Sequence, residues 1–456
     1  MKIRQNNGNE KTLLTFILPP QAEGQGEGAV IMSSFKGGVH PPQNKATSSF
    51  PIERFPAPPK VFIHLFQSAG AASEPVIVKG QRVLKGEVIA APCGKISAYI
   101  HSPVSGIVEG IEKWPHYSGD KLDAIIIAND FKEEEKRHRE LKSVKTLAPS
   151  QIVEIIRRAG IVGLGGAAFP TDVKLSVPFG KKINTLIVNG CECEPYLTAD
   201  EKIIEEKADE IFEGAKIAAR AVSAKDIIIA VEDNKLSKAS ELLRRQDMRM
   251  SVRVLPAKYP QGGEKQLIYA LLRKKVPACG LPADVGCVVI NVQTAVAVNE
   301  AVYSGRPLFE RVVTLGGFFR KPGNVIIPVG TRLEDIINLR GGIPDNVNKI
   351  VFGGPMMGQS VSNFDVTVSK ATSAILLLES PPPAEFECIR CLRCAAVCPM
   401  NLIPRQSYLL YKKGIPCERA KDCIECGACA YVCPAGIPLV HYLKWSKNKM
   451  LNTREK

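Results

Sequence analysis

Two runs of cysteine near the end of the chain could do chemistry. The first reads Cys388-x2-Cys391-x2-Cys394-x3-Cys398-Pro399, and the second Cys423-x2-Cys426-x2-Cys429-x3-Cys433-Pro434. A cubane iron–sulfur cluster needs four thiolates around one centre, and two-residue gaps let neighbouring sulfurs turn inward from a tight loop. Zinc is the alternative partner for grouped thiols. It takes its ligands in two separated pairs, with no use for a third cysteine two residues on or a fourth followed by proline. The spacing therefore predicts two [4Fe–4S] clusters. Cys417 lies outside both runs and reads as a spare thiol.

The doubled run is similar to that of bacterial two-cluster ferredoxins, in which the fourth cysteine of each run ligates the other cluster. The similarity implies Cys388, Cys391, Cys394 and Cys433 around one cluster, and Cys423, Cys426, Cys429 and Cys398 around the second.

A second stretch with chemical potential is Gly163-Leu-Gly165-Gly166-Ala-Ala-Phe169-Pro170-Thr171-Asp-Val-Lys174. Glycines let backbone approach a flat or charged ligand and offer amide N–H groups to phosphate oxygens. The loop follows a helix, so it is not a dinucleotide fingerprint, and no Gly-Lys-Ser/Thr makes it a Walker loop. The next strand ends in Asn189-Gly-Cys191-Glu192-Cys193-Glu194-Pro195. Acids past the carboxyl end of a strand sit where open α/β sheets bind ligands. Cys191 and Cys193 are too close in sequence for good disulfide geometry, and read as small buried residues flanking Glu192.

The elements that must hold these motifs follow from periodicity. Residues 60–130 alternate and turn at glycines, which predicts a small all-β unit. Its hairpins resemble the biotinyl/lipoyl barrel-sandwich. Lys95 stands near the attachment position of that family, but Gly94 replaces the usual Asp, so the unit reads as structural. Residues 131–147 mix both charges densely and read as a solvated linker or helix. Ser150 is expected to cap a helix ending near Gly160. Apolar strands at 185–189, 226–231, 252–255 and 287–291 alternate with helical stretches at 200–222, 235–245 and 264–273. That pattern predicts an α/β domain with a largely parallel sheet. Residues 310–378 read as a small α+β unit with a short helix at 333–339, and 380–384 as a stiff proline spacer. The expected domains are a flexible extension (1–35), a barrel-sandwich (36–130), the α/β domain (148–305), the α+β unit (306–378) and the cluster domain (384–445).

The chain has 456 residues, 45% of them hydrophobic, enough for several packed cores. Cluster ligation takes eight of the 14 cysteines and needs reduced thiols, which points to a cytoplasmic setting. The net charge of +14 suits an anionic membrane or an acidic partner. It is not gathered on an aromatic-laced motif, so no nucleic acid is expected. The basic end, 441–456, reads either as a solvated tail or as a dock for a membrane complex or lipid headgroups. No window reaches the roughly 18 apolar residues of a membrane span, and residues 12–20 do not read as a signal peptide.

Taken together, the glycine loop, the Asn-x-x-Glu-x-Glu-Pro segment and the clusters resemble the FMN- and NADH-binding subunit of respiratory complex I. The similarity is closer to the RnfC family, from the Rnf ion-translocating electron-transport complex of bacteria. The resemblance covers about residues 35–445. It implies, in this order, a barrel-sandwich, a flavin domain, a β-grasp (SLBB-type) domain and a two-cluster ferredoxin. It implies that Gly163, Gly165, Gly166 and Lys174 line the FMN and dinucleotide cleft, and that Phe169 stacks on NADH. Asn189 and Glu192 would hold the flavin, and Glu194 would face the nicotinamide. Gly262 and Glu264 match a Tyr-x-x-Gly-Glu-Glu segment, and Asn291 and Thr294 an Asn-Asn-Val-Glu-Thr segment. Four positions depart from the complex I pattern: Cys191 for Asp, Gly263 for Glu, Ile290 for Asn and Val177 for Phe.

The implied function is an NADH-linked oxidoreductase subunit of an ion translocase. NADH yields two electrons as hydride and a [4Fe–4S] cluster takes one, so a flavin must stand between them. Such a subunit would be peripheral, on the cytoplasmic face of the bacterial membrane. It would contact other subunits of the complex and NAD(H), and ferredoxin indirectly. The rival enzyme is a cobalamin reductase of the propanediol-utilisation type, which carries its barrel-sandwich toward the other end of the chain. The rival that is not an enzyme is a cluster-only electron relay with an inactive flavin domain.

Overall fold

The computed structural model describes residues 34–137, 140–141, 143–381 and 384–452. The expected extension, apart from Ser34 and Phe35, residues 12–20, part of the proline spacer and the last residues of the basic tail lie outside the described residues.

Strands Lys60–His64, Lys121–Asn129, Gly106–Pro115 and Arg82–Val83 form one antiparallel sheet in that spatial order. Glu74–Pro75, Val88–Ala91 and Ile100–His101 form a second. Alternation sends Val61, Ile63, Ile89, Ile100, Ile125 and Ile127 into a common core. Gly106 is required where it stands, because an added Cβ would lie 1.9 Å from the Ala128 carbonyl oxygen. This is the predicted barrel-sandwich.

The α/β domain has four parallel strands in the order Met250–Leu255, Asp226–Glu232, Thr185–Gly190, Cys287–Asn291. Helices Pro149–Arg158, Ala199–Glu206, Ala208–Ala221, Glu264–Leu272 and Val292–Tyr303 pack around it. Leu186, Ile187 and Val188 are fully buried, as strands covered on both faces must be. Gly214 lets helix Ala208–Ala221 approach helix Val292–Tyr303, since a Cβ there would meet the Ala295 carbonyl oxygen at 1.8 Å.

A six-stranded mixed sheet follows, in the order Ile52–Arg54, Gly323–Pro328, Glu310–Gly317, Ala374–Leu378, Lys349–Phe352, Gln359–Val361. Helix Leu333–Leu339 packs on it. Last come helices Arg393–Ala396, Pro404–Tyr411, Ala428–Tyr431 and Leu439–Asn452, whose core includes Cys394, Cys429, Tyr408 and Leu443.

Several local expectations are corrected. The helix expected at 200–222 breaks at Lys207, whose φ of −130° and ψ of 38° are not helical. Most of the stretch 235–245 is not regular helix, leaving only Ser240–Arg244 in α conformation. The first helix starts at Pro149 with Ala148 as N-cap, so Ser150 is already inside it. Proline is favoured at the first helical position, and the Gln151 side chain accepts from Ala148 N at 2.8 Å. Residues 134–136 are not helical but pair with Lys85 beside the barrel-sandwich.

The segment before Lys60, grouped from sequence with the barrel-sandwich, runs as a strap across the other domains. Gly38 N donates to Val397 O in the cluster domain, and Val39 pairs with Tyr259 in the α/β domain. Ile52–Arg54 then joins the six-stranded sheet parallel to Gly323–Pro328. Among the described residues no helix is long and apolar enough to cross a membrane.

Candidate functional site

The carboxyl ends of the parallel strands supply Asn189 and Asn291. Asn189 ties its strand end to the loop before helix Glu264–Leu272, donating from Nδ2 to Gly262 O at 2.9 Å. Its Oδ1 accepts from Cys191 N at 3.0 Å. Gly262 N donates to Cys193 Sγ at 3.4 Å. A Cβ on Gly262 would lie 2.2 Å from Cys191 O, so only glycine permits this approach.

The glycine loop closes on itself through Gly163 N to Phe169 O, 2.8 Å. It is fastened to helix Val292–Tyr303 by Leu164 N donating to Thr294 Oγ1 at 2.9 Å. Gly165 lies beside Asn291, and Gly165, Gly166 and Ala167 are exposed. A Cβ on Gly166 would meet nothing within 4 Å, so the turn borders open space. Glycine suits this position because its φ is +107°. An exposed glycine turn beside a helix N-terminus suits an anionic group such as a flavin phosphate.

Phe169 is half-buried at the end of this loop. Lys174 is engaged by the protein, donating to Glu264 Oε1 at 2.7 Å and to Val289 O at 3.0 Å. The structure thus brings Gly163, Gly165, Gly166, Asn189, Gly262, Asn291 and Thr294 together, with Lys174 and Glu264 paired beside them.

Glu192 is buried and caps helix Ala199–Glu206, accepting from Asp200 N at 2.9 Å and Glu201 N at 3.4 Å. Burial pushes its carboxyl up to about 7. The Glu194 carboxyl is also pushed up to about 7, chiefly by burial. Its placement differs from what the resemblance implies. The carboxylate is taken up by the loop 353–358, where Met356 N donates to Oε2 at 3.1 Å. A Cβ on Gly354 would lie 2.3 Å from that oxygen, so this loop is shaped around Glu194.

Four residues that sequence reasoning missed complete the site. Asp200 holds Asn291 Nδ2 at 2.6 Å and Gln293 Nε2 at 2.8 Å, with its carboxyl raised by burial. In sequence it is an ordinary first-turn acid. Lys45, from the strap, donates to the carbonyls of Glu192, Glu194 and Leu197 at 2.9, 3.2 and 2.5 Å. Lys235 donates to Glu232 Oε2 at 2.5 Å and to Glu192 O at 3.3 Å. Burial disfavours its charge, but Glu232 and Glu192 outweigh that and keep it protonated. Arg311 donates to Leu164 O at 3.1 Å beneath the glycine loop, and burial lowers its guanidinium to about 10. No motif marks these residues, because each meets its partners only through the fold.

The eight thiols of the two runs wall two cavities. Cys388, Cys391, Cys394 and Cys433 line the first, with Leu392, Arg405 and Ile437. Cys398, Cys423, Cys426 and Cys429 line the second, with Met400, Ile424 and Leu443. Among the described residues, no three His, Cys, Asp or Glu side chains converge tightly enough for a single metal ion. Left-handed backbone at Arg390, Leu392, Glu425 and Gly427 bends the two loops. Backbone amides already point at sulfur: Leu402 N on Cys398 Sγ and Glu425 N on Cys423 Sγ, both 3.3 Å. Arg405 Nε is buried on the first wall without a partner, a donor left for a group in that cavity. Cavities each walled by four thiols among apolar residues, with backbone amides directed at sulfur, fit [4Fe–4S] clusters. Cys417 is buried, with its amide on Ser446 Oγ at 3.2 Å, and lines neither cavity.

The second thiol set abuts the α/β site. Tyr259 is buried and its hydroxyl donates to Cys426 O at 2.5 Å. Val39, Cys193, Tyr259, Cys426 and Ala428 form one apolar cluster, backed by Met356 and Val397. Gly427 is required at this seam, since a Cβ would lie 2.6 Å from Met356 O. Lys95 lies elsewhere, exposed on the rim of a cleft of about 850 Å³ between the barrel-sandwich and the α/β domain.

Comparison with known proteins agrees with this layout. Four family models match: the RnfC barrel sandwich hybrid domain over residues 33–132 and the Nuo51 FMN-binding domain over 156–300. The SLBB domain matches over 312–360 and the 4Fe-4S dicluster domain over 387–437. A relative in Clostridium ljungdahlii, the C-subunit of a proton-translocating ferredoxin:NAD(+) oxidoreductase complex, is 43% identical over 441 residues. That match covers 93% of this chain and 96% of the relative. The Na(+)-translocating counterpart of Acetobacterium woodii is 38% identical, covering 81% of this chain and 86% of the relative. The C-subunit of the ion-translocating oxidoreductase complex of Pseudomonas aeruginosa is 39% identical, covering 93% of this chain and 57% of the relative. The matched domains assign FMN and iron–sulfur clusters as cofactors. A chain with this domain order and these relatives belongs to the RnfC family of the Rnf ion-translocating oxidoreductase complexes.

Proposed function

We propose that this chain carries electrons between NADH and two [4Fe–4S] clusters through bound FMN, and onward to other subunits of a membrane complex. The observation that carries the reading is the seam at Tyr259. One loop, 259–264, is held by Asn189 at the flavin cleft and by Cys426 at the second thiol set. FMN, when bound, accepts an electron pair as hydride and releases it singly, which matches a two-electron donor to one-electron clusters.

The chain's own residues bind, orient and exclude water. Gly163, Gly165, Gly166, Asn189 and Asn291 would hold the flavin, with Asp200 and Gln293 fixing the Asn291 amide. Phe169 would stack on the dinucleotide. Tyr259, Cys193 and Met356 keep the path toward Cys426 dry. Cys388, Cys391, Cys394 and Cys433 would hold one cluster, and Cys398, Cys423, Cys426 and Cys429 the other. The relatives' names place them in ion-translocating complexes. Among its described residues no helix is long and apolar enough to cross a membrane; the reading makes this chain a peripheral subunit, and its need for reduced thiols favours the cytoplasmic face.

One observation favours a second reading, a cluster relay without NADH oxidation. The Glu194 carboxylate is bound to Met356 rather than free to meet a nicotinamide. Anaerobic titration of the reconstituted protein decides between them. NADH is expected to bleach the flavin band and then the cluster band. Protein that holds clusters but neither binds FMN nor responds to NADH leaves only the relay.

A further inference from the structure

The glycine loop has little shape of its own. Gly163, Gly165 and Gly166 carry no Cβ and visit many backbone states, so neighbours must impose the course the loop takes. Three carbonyls along residues 160–168 accept hydrogen bonds from outside the α/β domain. Gly160 O accepts from Lys370 Nζ at 2.8 Å, Leu164 O from Arg311 Nη2 at 3.1 Å, and Ala168 O from Ala69 N at 3.0 Å. Lys370 and Arg311 belong to the unit of the six-stranded sheet, and Ala69 to the barrel-sandwich.

The three donors form one frame. Arg311 Nη1 donates to Lys370 O at 2.6 Å, and Lys370 N donates to Gln67 Oε1 at 2.9 Å, two residues before Ala69. Lys370 Nζ also donates to Tyr99 O at 2.7 Å, so one amine ties three units together. Gly160 is needed at this crossing, since a Cβ would lie 2.3 Å from Tyr99 O and 2.9 Å from Lys370 Nζ. Lys370 is 1% exposed, and burial without a counter-charge lowers its amine to about 7. An amine is costly to bury in this way, and an apolar side chain would fill the space at less cost. The two carbonyls that it holds account for its presence.

We propose that Lys370 and Arg311 are positioning residues of the flavin cleft. They draw the carbonyls of the glycine loop inward and leave its exposed turn, Gly165 to Ala167, set to receive the flavin phosphate. The cleft is then completed by the two neighbouring units and is not the work of the α/β domain alone. This rests on the reading of the cleft as an FMN site. A loop fixed before the ligand arrives binds it more tightly, because less freedom is lost on binding.

The test uses the full-length protein with its clusters reconstituted. Two readings are taken on each variant: FMN affinity by fluorescence quenching, and amide hydrogen exchange across residues 160–169 before flavin is added. In Lys370→Met the affinity is expected to weaken roughly tenfold. Exchange at 160–169 should quicken while strands Thr185–Gly190 and Cys287–Asn291 keep their native protection. Arg311→Lys, which keeps the charge with fewer fixed donors, should move both readings the same way by less, and it decides the matter if Lys370→Met does not fold. Trp114→Phe removes a bond across the same seam, Trp114 Nε1 to Asp365 O at 2.8 Å, without touching the loop, and should leave both readings as they are. Native affinity and native exchange in the folded variants of Lys370 and Arg311 overturn the proposal, as does an equal loss in Trp114→Phe. If the native protein itself takes up no FMN, the flavin reading fails, and the role given to these residues falls with it.

Discussion

At the scale of single residues, the candidate flavin cleft depends on buried charges whose partners come from distant parts of the chain. Asp200 is the hub, holding Asn291 and Gln293. Asp200→Ala leaves two buried amides unsatisfied, a cost of about 1–3 kcal/mol. FMN affinity measured by fluorescence quenching should fall roughly tenfold to a hundredfold. An unchanged affinity would remove Asp200 from the site. Glu194 makes a pH prediction. Its folded carboxyl stands near 7, above the ordinary 4.5. The folded chain thus holds that proton more tightly than the unfolded chain. The stabilisation is complete below the ordinary carboxylate range and is lost as pH climbs through about 7. The slope is at most about 1.4 kcal/mol per pH unit for one group. The melting temperature should therefore drop more steeply as pH rises from about 4.5 to about 7 in the native protein than in Glu194→Gln, and parallel curves over that range would contradict this. For the thiols, Cys426→Ala should lose about four of eight iron atoms, one cluster's worth. Unchanged iron would contradict the ligand set. The cysteines were legible in sequence because their chemistry demands fixed local spacing. Lys45, Lys235, Asp200 and Arg311 were not, since no spacing rule joins them.

At the scale of elements, periodicity served where an element buries one face or both. The four parallel strands and helix Leu333–Leu339 stand where the pattern put them. The break at Lys207 was not legible, because the apolar spacing runs through it and the kink is set by tertiary contacts. One of these is the Lys207 ion pair with Glu300 at 3.1 Å. The strap was illegible for another reason. Its strand among the described residues, Ile52–Arg54, is three residues long and pairs with Gly323–Pro328, far along the chain. The strap brings Lys45 within 4.0 Å of Glu192 Oε2 and onto the carbonyls of Glu192, Glu194 and Leu197. Lys45→Met leaves the carbonyls of Glu192, Glu194 and Leu197 without their donor, and losing buried hydrogen bonds of this kind costs about 1–3 kcal/mol. The expected outcome is a melting temperature several degrees lower together with weaker FMN retention on gel filtration. A variant as stable as the native protein would show that the strap only lies on the surface.

At the scale of the whole molecule, the order of domains along the chain matches the order of the family models. What the order of domains could not tell is how the cluster domain folds back. The strap, the loop 353–358 and Tyr259 seat the second thiol set against the α/β domain, and the first is left outermost. The electron path proposed here would then run from the glycine loop past Cys193 and Tyr259 to the Cys426 set and on to the Cys388 set. Rapid freeze-quench EPR after mixing with NADH tests this most directly. In native holoprotein both cluster signals should grow on NADH addition, and in Cys426→Ala the signal of the Cys388 set should no longer be reached at the native rate. A Cys388-set signal that appears equally fast without the Cys426 set, or no cluster signal with NADH at all, would contradict the proposed path.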